Sequence, residues 1–315
     1  MTRLADLAEL VRAPAALSVP GDVLSGAAAA GTLGRRTPAL AGASVLLYWA
    51  GMAANDWADR RLDAVERPER PIPSGRIRPA TAFGVAAGLT AAGLALAGAA
   101  GGRRATAVAV PLAATIWGYD LLAKNTAAGP AVMAACRGLD VLLGASVGPA
   151  RDRGGRQARP SARGPARALP DGSGLARALP AGRGLVRALP AALTVAAHTW
   201  TVTALSRREV SGADRGLPRA TLAGTALVAA TALGRPDPVP VALAAGYAGR
   251  YGAAQARVLA DPSPARVHAA VGAGITGLPA LQGALTARAG ARLLGLAVAA
   301  AAPLGRRLAR LISPT

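Results

Sequence analysis

Long apolar runs separated by short polar loops dominate this chain. They fall near 13–33, 39–58, 79–101, 105–122, 127–148, 188–206, 217–234, 238–256, 267–287 and 291–305 and are nearly free of charge. A helix needs about 20 apolar residues to cross a bilayer, so runs of this length predict transmembrane helices. Alanine and glycine supply much of the apolar mass and are weak membrane formers, so the last four runs can merge or shorten. The pattern predicts an all-α, polytopic integral membrane bundle of about nine transmembrane helices, one domain over 1–315.

Two segments stand apart. The opening MTRLADLAELVRAP carries acids and lacks the short apolar core and small-residue cleavage site of a signal peptide. It is expected to be an interfacial amphipathic helix feeding the first span. Residues 150–187 form a low-complexity insert rich in Arg, Pro and Gly, with RALP recurring at 167, 177 and 187. Such a composition cannot bury a core, and three short copies are too few for a solenoid, so the insert is expected to be loosely structured.

Charge refines the picture. The chain carries a formal net charge of +20, yet is 52% hydrophobic and only 3% aromatic. The arginines punctuate loops and there are no aromatic platforms, which argues against nucleic acid and for anionic lipid headgroups and a phosphorylated substrate. Arg60, Arg61, Arg67, Arg70, Arg76 and Arg78 crowd the loop 60–78, which the positive-inside rule assigns to the cytoplasm. Counting spans from there puts Lys124 and the 207–219 loop on the same side and the insert outside, against that rule. Cys136 is the single cysteine and lies in an apolar run, so it predicts an inert buried thiol.

The candidate chemistry begins where the second apolar run ends, at AANDWADRRLDAVERPERPIPSGRIR (residues 53–78). Asn55, Asp59 and Asp63 are spaced i, i+4, i+8, one stripe of a helix, with Asp56 at its edge. Oxygen side chains on one face suit a hard divalent cation such as magnesium. Acids at the end of a membrane helix are costly and point to function. An ordinary solvated helix end with ion pairs to Arg60 and Arg61 is the competing reading.

The string N55-D-x-x-D59-x-x-x-D63, followed by RPIPSGRI at 70–77, resembles the first aspartate-rich motif and loop of the UbiA family of intramembrane prenyltransferases. The resemblance implies a nine-helix bundle around a central cavity. It implies Mg2+ held by Asn55, Asp59 and Asp63 with Asp56 nearby, and the diphosphate of a polyprenyl donor approached by Arg70 and Arg76. YDLLAKNTAAGPAVMAACRGLDVLLG (119–144) resembles a second family region, which gives Tyr119 and Lys124 catalytic roles and lets Lys124 and Arg137 bind diphosphate. Lys124 is the only lysine in the chain. Arg137 and Asp140 can equally form a pair within the bundle, and Tyr119 can face a carbocation or anchor the interface.

The family's second aspartate stripe is missing from its place. HTWTVTALSRREVSGADRG (198–216) offers only Glu209 and Asp214, spaced i, i+5, so Glu209 stands as a one-acid remnant and a fifth metal ligand. His198, Asp22, His268 and Gln282 are each open to a structural or a functional reading. Together the motifs are similar to the UbiA-like EboC subgroup, which implies a bacterial membrane protein connected with secondary metabolism or export. Two functions follow. One is a magnesium-dependent prenyltransferase of the cytoplasmic membrane, its active site toward the cytoplasm, acting on a small lipophilic or aromatic acceptor. The other is an altered member that binds an isoprenoid or metabolite and assists export.

Overall fold

The structure, a computed structural model, describes residues 3–13, 18–147, 180–233 and 237–301. Its regular elements are helices: α1 (Leu4–Leu10), α2 (Pro20–Ala30), α3 (Thr37–Glu66), α4 (Pro79–Gly118), α5 (Gly129–Ala145), α6 (Pro180–Ser206), α7 (Gly216–Ala232), α8 (Pro238–Ala260), α9 (Pro264–Arg288) and α10 (Arg292–Ala301). Proline opens α2, α3, α4, α5, α8 and α9, where its missing N–H is one the helix leaves unpaired anyway. Gly31, at φ 70°, ends α2 in the left-handed conformation that glycine adopts at no steric cost.

Three helical stretches among the described residues are long and apolar enough to cross a membrane: Thr37–Glu66, Pro79–Ala123 and Gly182–Ser206. The second spans 45 residues, which as a straight rod would reach about 68 Å, twice the hydrocarbon core. It folds back on itself at Gly102, whose φ of 62° and ψ of −155° break the helix. Trp117 Nε1 therefore donates to Thr90 Oγ1 at 3.1 Å, a contact no straight helix permits between these residues. That hairpin matches the two apolar runs read at 79–101 and 105–122. The first expected span fares differently, since α2 has 11 residues and reaches only about 16 Å.

The bundle has two packed groups. One joins α2 to α5 around Leu40, Leu47, Leu112 and Leu143; the other joins α5 to α9 around Val195, Leu205, Leu281 and the fully buried Tyr247 and Tyr251. Helix α2 packs against α3, α5, α6 and α9 and so links the groups. It comes close because its neighbour offers no side chain: a Cβ on Gly144 would lie 2.0 Å from the Val23 carbonyl oxygen, and one on Gly26 would lie 1.8 Å from that of Val141. Small residues let backbones approach where lipid supplies no hydrophobic drive between helices.

The insert predicted at 150–187 begins its helix earlier than its composition implies. Residues 180–187 belong to α6, which carries Pro190 inside it. Neighbouring helices can compensate the hydrogen bond that a proline removes. The rest of the predicted insert, to residue 179, lies outside the described residues apart from the sequence itself.

Candidate active site

The last turns of α3 carry the acidic cluster, and the structure resolves it into two faces. Asn55 Nδ2 donates to Asp120 Oδ1 at 3.1 Å, and Lys124 Nζ donates to Asp59 Oδ1 at 2.5 Å. Asp56 and Asp63 turn the other way. Arg70 donates to Asp63 Oδ2 at 2.8 Å and to Asp56 Oδ1 at 3.3 Å. Arg12 also reaches Asp56 Oδ1, at 2.8 Å, and Arg67 reaches Asp63 at 3.5 Å. The expected single stripe of Asn55, Asp59 and Asp63 is thus corrected. Each i+4 step drifts about 40°, so Asp63 falls well off the face of Asn55, whereas Asp56 and Asp63, seven apart, differ by only about 20°.

Asp120 and Lys124 reach α3 because α4 ends in a π-helical turn, Tyr119–Ala123, with Lys124 N donating to Tyr119 O at 2.9 Å. Such turns are frequent at functional sites because they re-aim side chains. Asp120 and Arg12 are site residues that sequence reasoning missed. The signal for Asp120 was an acid four residues before the single lysine, at the end of an apolar run. Arg12 carried no local signal. It is the one non-glycine residue with positive φ, 46°, among the described residues.

Arg76, expected on the diphosphate, is held elsewhere. It bonds Asp6 Oδ1 at 2.9 Å and both Glu9 oxygens at 2.6 and 2.9 Å, and so fastens α1 to the loop. The Arg3 backbone N–H and the Arg76 guanidinium hold the Asp6 carboxyl below its usual range. Leu10 of the same segment is fully buried with Ala53, Ala54, Ile72 and Ile77.

Beside Met52 of α3 and Tyr119 of the π-helical turn opens a cavity of about 390 Å³. Tyr48, Trp49, Tyr119, Arg137, His198 and Glu209 are among the residues that line it. Arg137 does not pair with Asp140, as their one-turn spacing allowed. Its Nε lies 2.8 Å from Asp22 Oδ2 on α2, and Asp140 accepts from Ser44 Oγ at 2.5 Å. Gln282 Nε2 completes the group with donations to Asp22 Oδ1 at 2.6 Å and Ser18 O at 2.8 Å. His198 Nδ1 meets Tyr247 Oη at 2.9 Å, a hydrogen-bonded histidine within the bundle.

The second half supplies one acid to this cavity. Helix α6 ends at Ser206, so Glu209 sits in the following turn rather than on the helix of His198, and its Oε2 lies 2.8 Å from His268 Nδ1. Asp214 caps α7 instead, accepting from the N–H groups of Gly216 and Leu217 at 2.8 and 3.0 Å, which lower its pKa. Arg207 donates to Thr126 O and ties this turn to the end of the π-helical segment.

Magnesium can be weighed against these residues. Asn55, Asp59 and Asp120 offer oxygen atoms alone, the donor chemistry a hard cation takes. Among the described residues no three His, Cys, Asp or Glu side chains gather into a metal-holding group. Asp56, Asp59 and Asp63 of α3 are each answered by Arg or Lys, while Asp120 accepts from Asn55. The oxygen donors suit a hard cation in kind, and Lys124 and Arg70 are cations that hold carboxylates of the same cluster.

The acids and cations at the end of α3 thus stand in a bundle of apolar helices that also holds a cavity. The chain belongs to the UbiA prenyltransferase family, which it matches over residues 23–271. It is 45% identical over 84 residues to a digeranylgeranylglyceryl phosphate synthase of Methanothrix thermoacetophila, covering 26% of this chain and 30% of that protein. It is 39% identical over 112 residues to the bacteriochlorophyll synthase 33 kDa chain of Cereibacter sphaeroides, covering 33% of this chain and 36% of that one. The matched stretches thus span about a third of these relatives. A solved structure titled for digeranylgeranylglyceryl phosphate synthase shares the fold with a TM-score of 0.62 at 16% identity, over 92% of this chain and 99% of that one. A UbiA homolog from Aeropyrum pernix K1 does so at 0.56 and 18% identity, over 90% and 97% of the two chains.

Proposed function

We propose that this chain is a magnesium-dependent intramembrane prenyltransferase that moves a polyprenyl group from its diphosphate to a small lipophilic or aromatic acceptor. One observation carries the reading: Asn55 bonds Asp120 and Lys124 bonds Asp59, while Tyr48, Trp49 and Met52, on the same helix as Asn55 and Asp59, and Tyr119, next to Asp120 in the chain, line a cavity. Asn55, Asp59 and Asp120 would hold magnesium together with Glu209 from the second half, with Asp56 and Asp63 behind Arg70. Bound magnesium would neutralise charge on the departing diphosphate.

The chain's own groups do the rest. Lys124 is a compact point charge and Arg70 a planar fork, and both bind phosphate oxygens well. As the allylic carbon–oxygen bond breaks, these cations stabilise the charge that develops on the leaving group. The apolar cavity keeps water from the allylic cation, and the Tyr119 ring offers its π-face to it. The acceptor then forms its bond to the allylic carbon and loses a proton. The loop arginines favour a cytoplasmic site in a bilayer crossed about nine times, with short helices such as α2 reaching only part of the way.

A second reading is a family member altered away from catalysis, with the EboC-like association with export. Glu209 favours it, because this half contributes a single acid and His268 holds it. Binding of geranylgeranyl diphosphate to the purified protein, with and without magnesium, separates the two. Prenyl transfer requires magnesium-dependent binding that both Asp59→Ala and Glu209→Ala diminish. Binding that ignores Glu209 would favour the altered member, and wild-type binding indifferent to magnesium would remove the basis of the enzyme reading.

A further inference from the structure

The hairpin of α4 turns at a face that the candidate site does not use. Its first arm follows the loop 60–78 and its second runs into the π-helical turn, so Gly102 stands at the opposite end of the bundle. The arm 79–101 rises about 34 Å, enough to cross a hydrocarbon core of about 30 Å. Aromatic rings mark the loop end. Trp57, Phe83 and Trp117 pack there with ring centres 5.1 and 6.1 Å apart, and such rings favour the headgroup level. From Phe83 to Gly102 the helix rises about 28 Å, which brings the turn to the second headgroup layer.

Two arginines follow the turn directly. Arg103 and Arg104 are exposed, and neither side chain has a hydrogen bond or an ion pair among the described residues. The arginines near the acidic cluster differ, since Arg12, Arg70 and Arg76 each sit on a carboxylate. The positive-inside rule gives the loop 60–78 the cytoplasm and makes arginine sparse at the other face. A charge at the end of an apolar helix there calls for an anion or water.

An open groove of about 560 Å³ runs down the hairpin from Arg103. Gly98 and Gly102 line it on one side, Ala107, Val110 and Pro111 on the other. Gly98 keeps it wide, because a Cβ there would lie 3.2 Å from Thr106 Oγ1. Thr106 turns its hydroxyl to Gly102 O at 3.2 Å, so the wall presents mostly carbon. From Arg103 to Pro111 the second arm descends about 12 Å, most of one leaflet's share of the core. Of the most apolar stretch of this hairpin 22% is buried, against 56% in each of the other two crossing helices, so its surface is left to lipid.

We propose that the hairpin binds one anionic glycerophospholipid of the leaflet opposite the loop 60–78, its phosphate on Arg103 and Arg104 and one acyl chain along the groove between the arms. Two unpaired guanidinium groups complement a negative headgroup, and the arginine fork suits phosphate oxygens. The acyl chain takes up a cleft that Gly98 and Ala107 leave unfilled. A soluble anion would use only the arginines, and an uncharged chain only the groove. The assignment is independent of prenyl transfer, so the diphosphate-binding experiment and the lipid experiment fail separately.

Native mass spectrometry of the full chain, released from mild detergent, tests it. Dioleoyl phosphatidylglycerol, dioleoyl phosphatidylcholine and glycerol 3-phosphate are each titrated. The first phosphatidylglycerol should bind about twentyfold tighter than phosphatidylcholine, and Arg103→Gln and Arg104→Gln should each weaken it about fivefold. Ala107→Phe, which fills the groove from an exposed position, should weaken both lipids. Arg35→Gln with Arg36→Gln removes two exposed charges outside the groove, before α3, and should leave the preference in place. Equal binding of the two lipids overturns the proposal, as does a preference that survives loss of both Arg103 and Arg104 or falls equally in the Arg35 and Arg36 control. Glycerol 3-phosphate bound as tightly as the lipid, or a lipid-free dimer that Ala107→Phe dissolves, overturns it too, in favour of an anion site or a second copy of the chain. Should the double arginine variant fail to fold, the wild-type ranking and Ala107→Phe decide.

Discussion

Replacing Arg137 with Met should destabilise the protein by about 3–5 kcal/mol, because it strands Asp22 in the bundle without its partner. The two side chains are 7% and 0% exposed and 2.8 Å apart, so neither has bulk water to fall back on. At that separation the attraction is about 6 kcal/mol for an effective dielectric of about 20, and desolvation offsets much of it. Removing one partner keeps the desolvation cost and discards the attraction. For a chain of this size the melting temperature should fall by roughly 6–15 °C. The double variant Asp22→Leu, Arg137→Met removes both charges and should recover most of that loss. Thermal unfolding followed by intrinsic tryptophan fluorescence in one detergent measures all four proteins of the cycle. If Arg137→Met melts with the wild type, or the double variant is no better than the single, the pairing argument fails. An Arg137→Met protein of normal stability that no longer binds geranylgeranyl diphosphate would restore the diphosphate role that the sequence assigned to this residue.

Other consequences follow from named contacts. Lys124→Gln removes a charge-assisted bond and should weaken donor diphosphate binding by roughly tenfold to a hundredfold; an unchanged affinity would take Lys124 out of the site. Gly144→Val puts side-chain carbon against the Val23 carbonyl, where a Cβ alone would sit at 2.0 Å, and should lower stability by about 1–3 kcal/mol or more, read as a reduced melting temperature. The Asp6 carboxyl is held below its ordinary value of 3.8. The stabilisation it contributes is therefore present above that pH and lost as pH falls through the lower folded-state value. A spin label at Leu4 should stay immobile from pH 7 down to the ordinary carboxylate range and loosen only below it; loosening at pH 6 would contradict the assignment.

Much of this was legible locally. The polar break at Asn55 to Asp63 marked a candidate site because acids are expensive at the end of a membrane helix, and the single lysine marked the segment that bonds to it. Two apolar runs between Pro79 and Ala123 anticipated a hairpin, since one helix of that length has no place in a bilayer. Hydropathy read less well where the residues are Ala and Gly. Three described helices are long and apolar enough to cross by length and composition, against the nine the runs imply. The same smallness that lowers their hydropathy lets α2 and α5 touch backbone to backbone.

The sequence by itself marked Asn55, Asp59 and Lys124 as candidates for the chemistry, because residue type and i, i+4 spacing are local properties of a helix. Partner choice was not local. Arg137 met Asp22 across 115 residues of chain rather than Asp140 one turn away, Arg76 went to α1, and Asp120 joined Asn55 from another helix. A guanidinium or carboxylate buried in the bundle takes whichever partner the packing of helices brings within reach. That packing was fixed by glycine contacts, a break at Gly102 and a π-helical turn at Tyr119–Ala123, which act only once the helices are assembled.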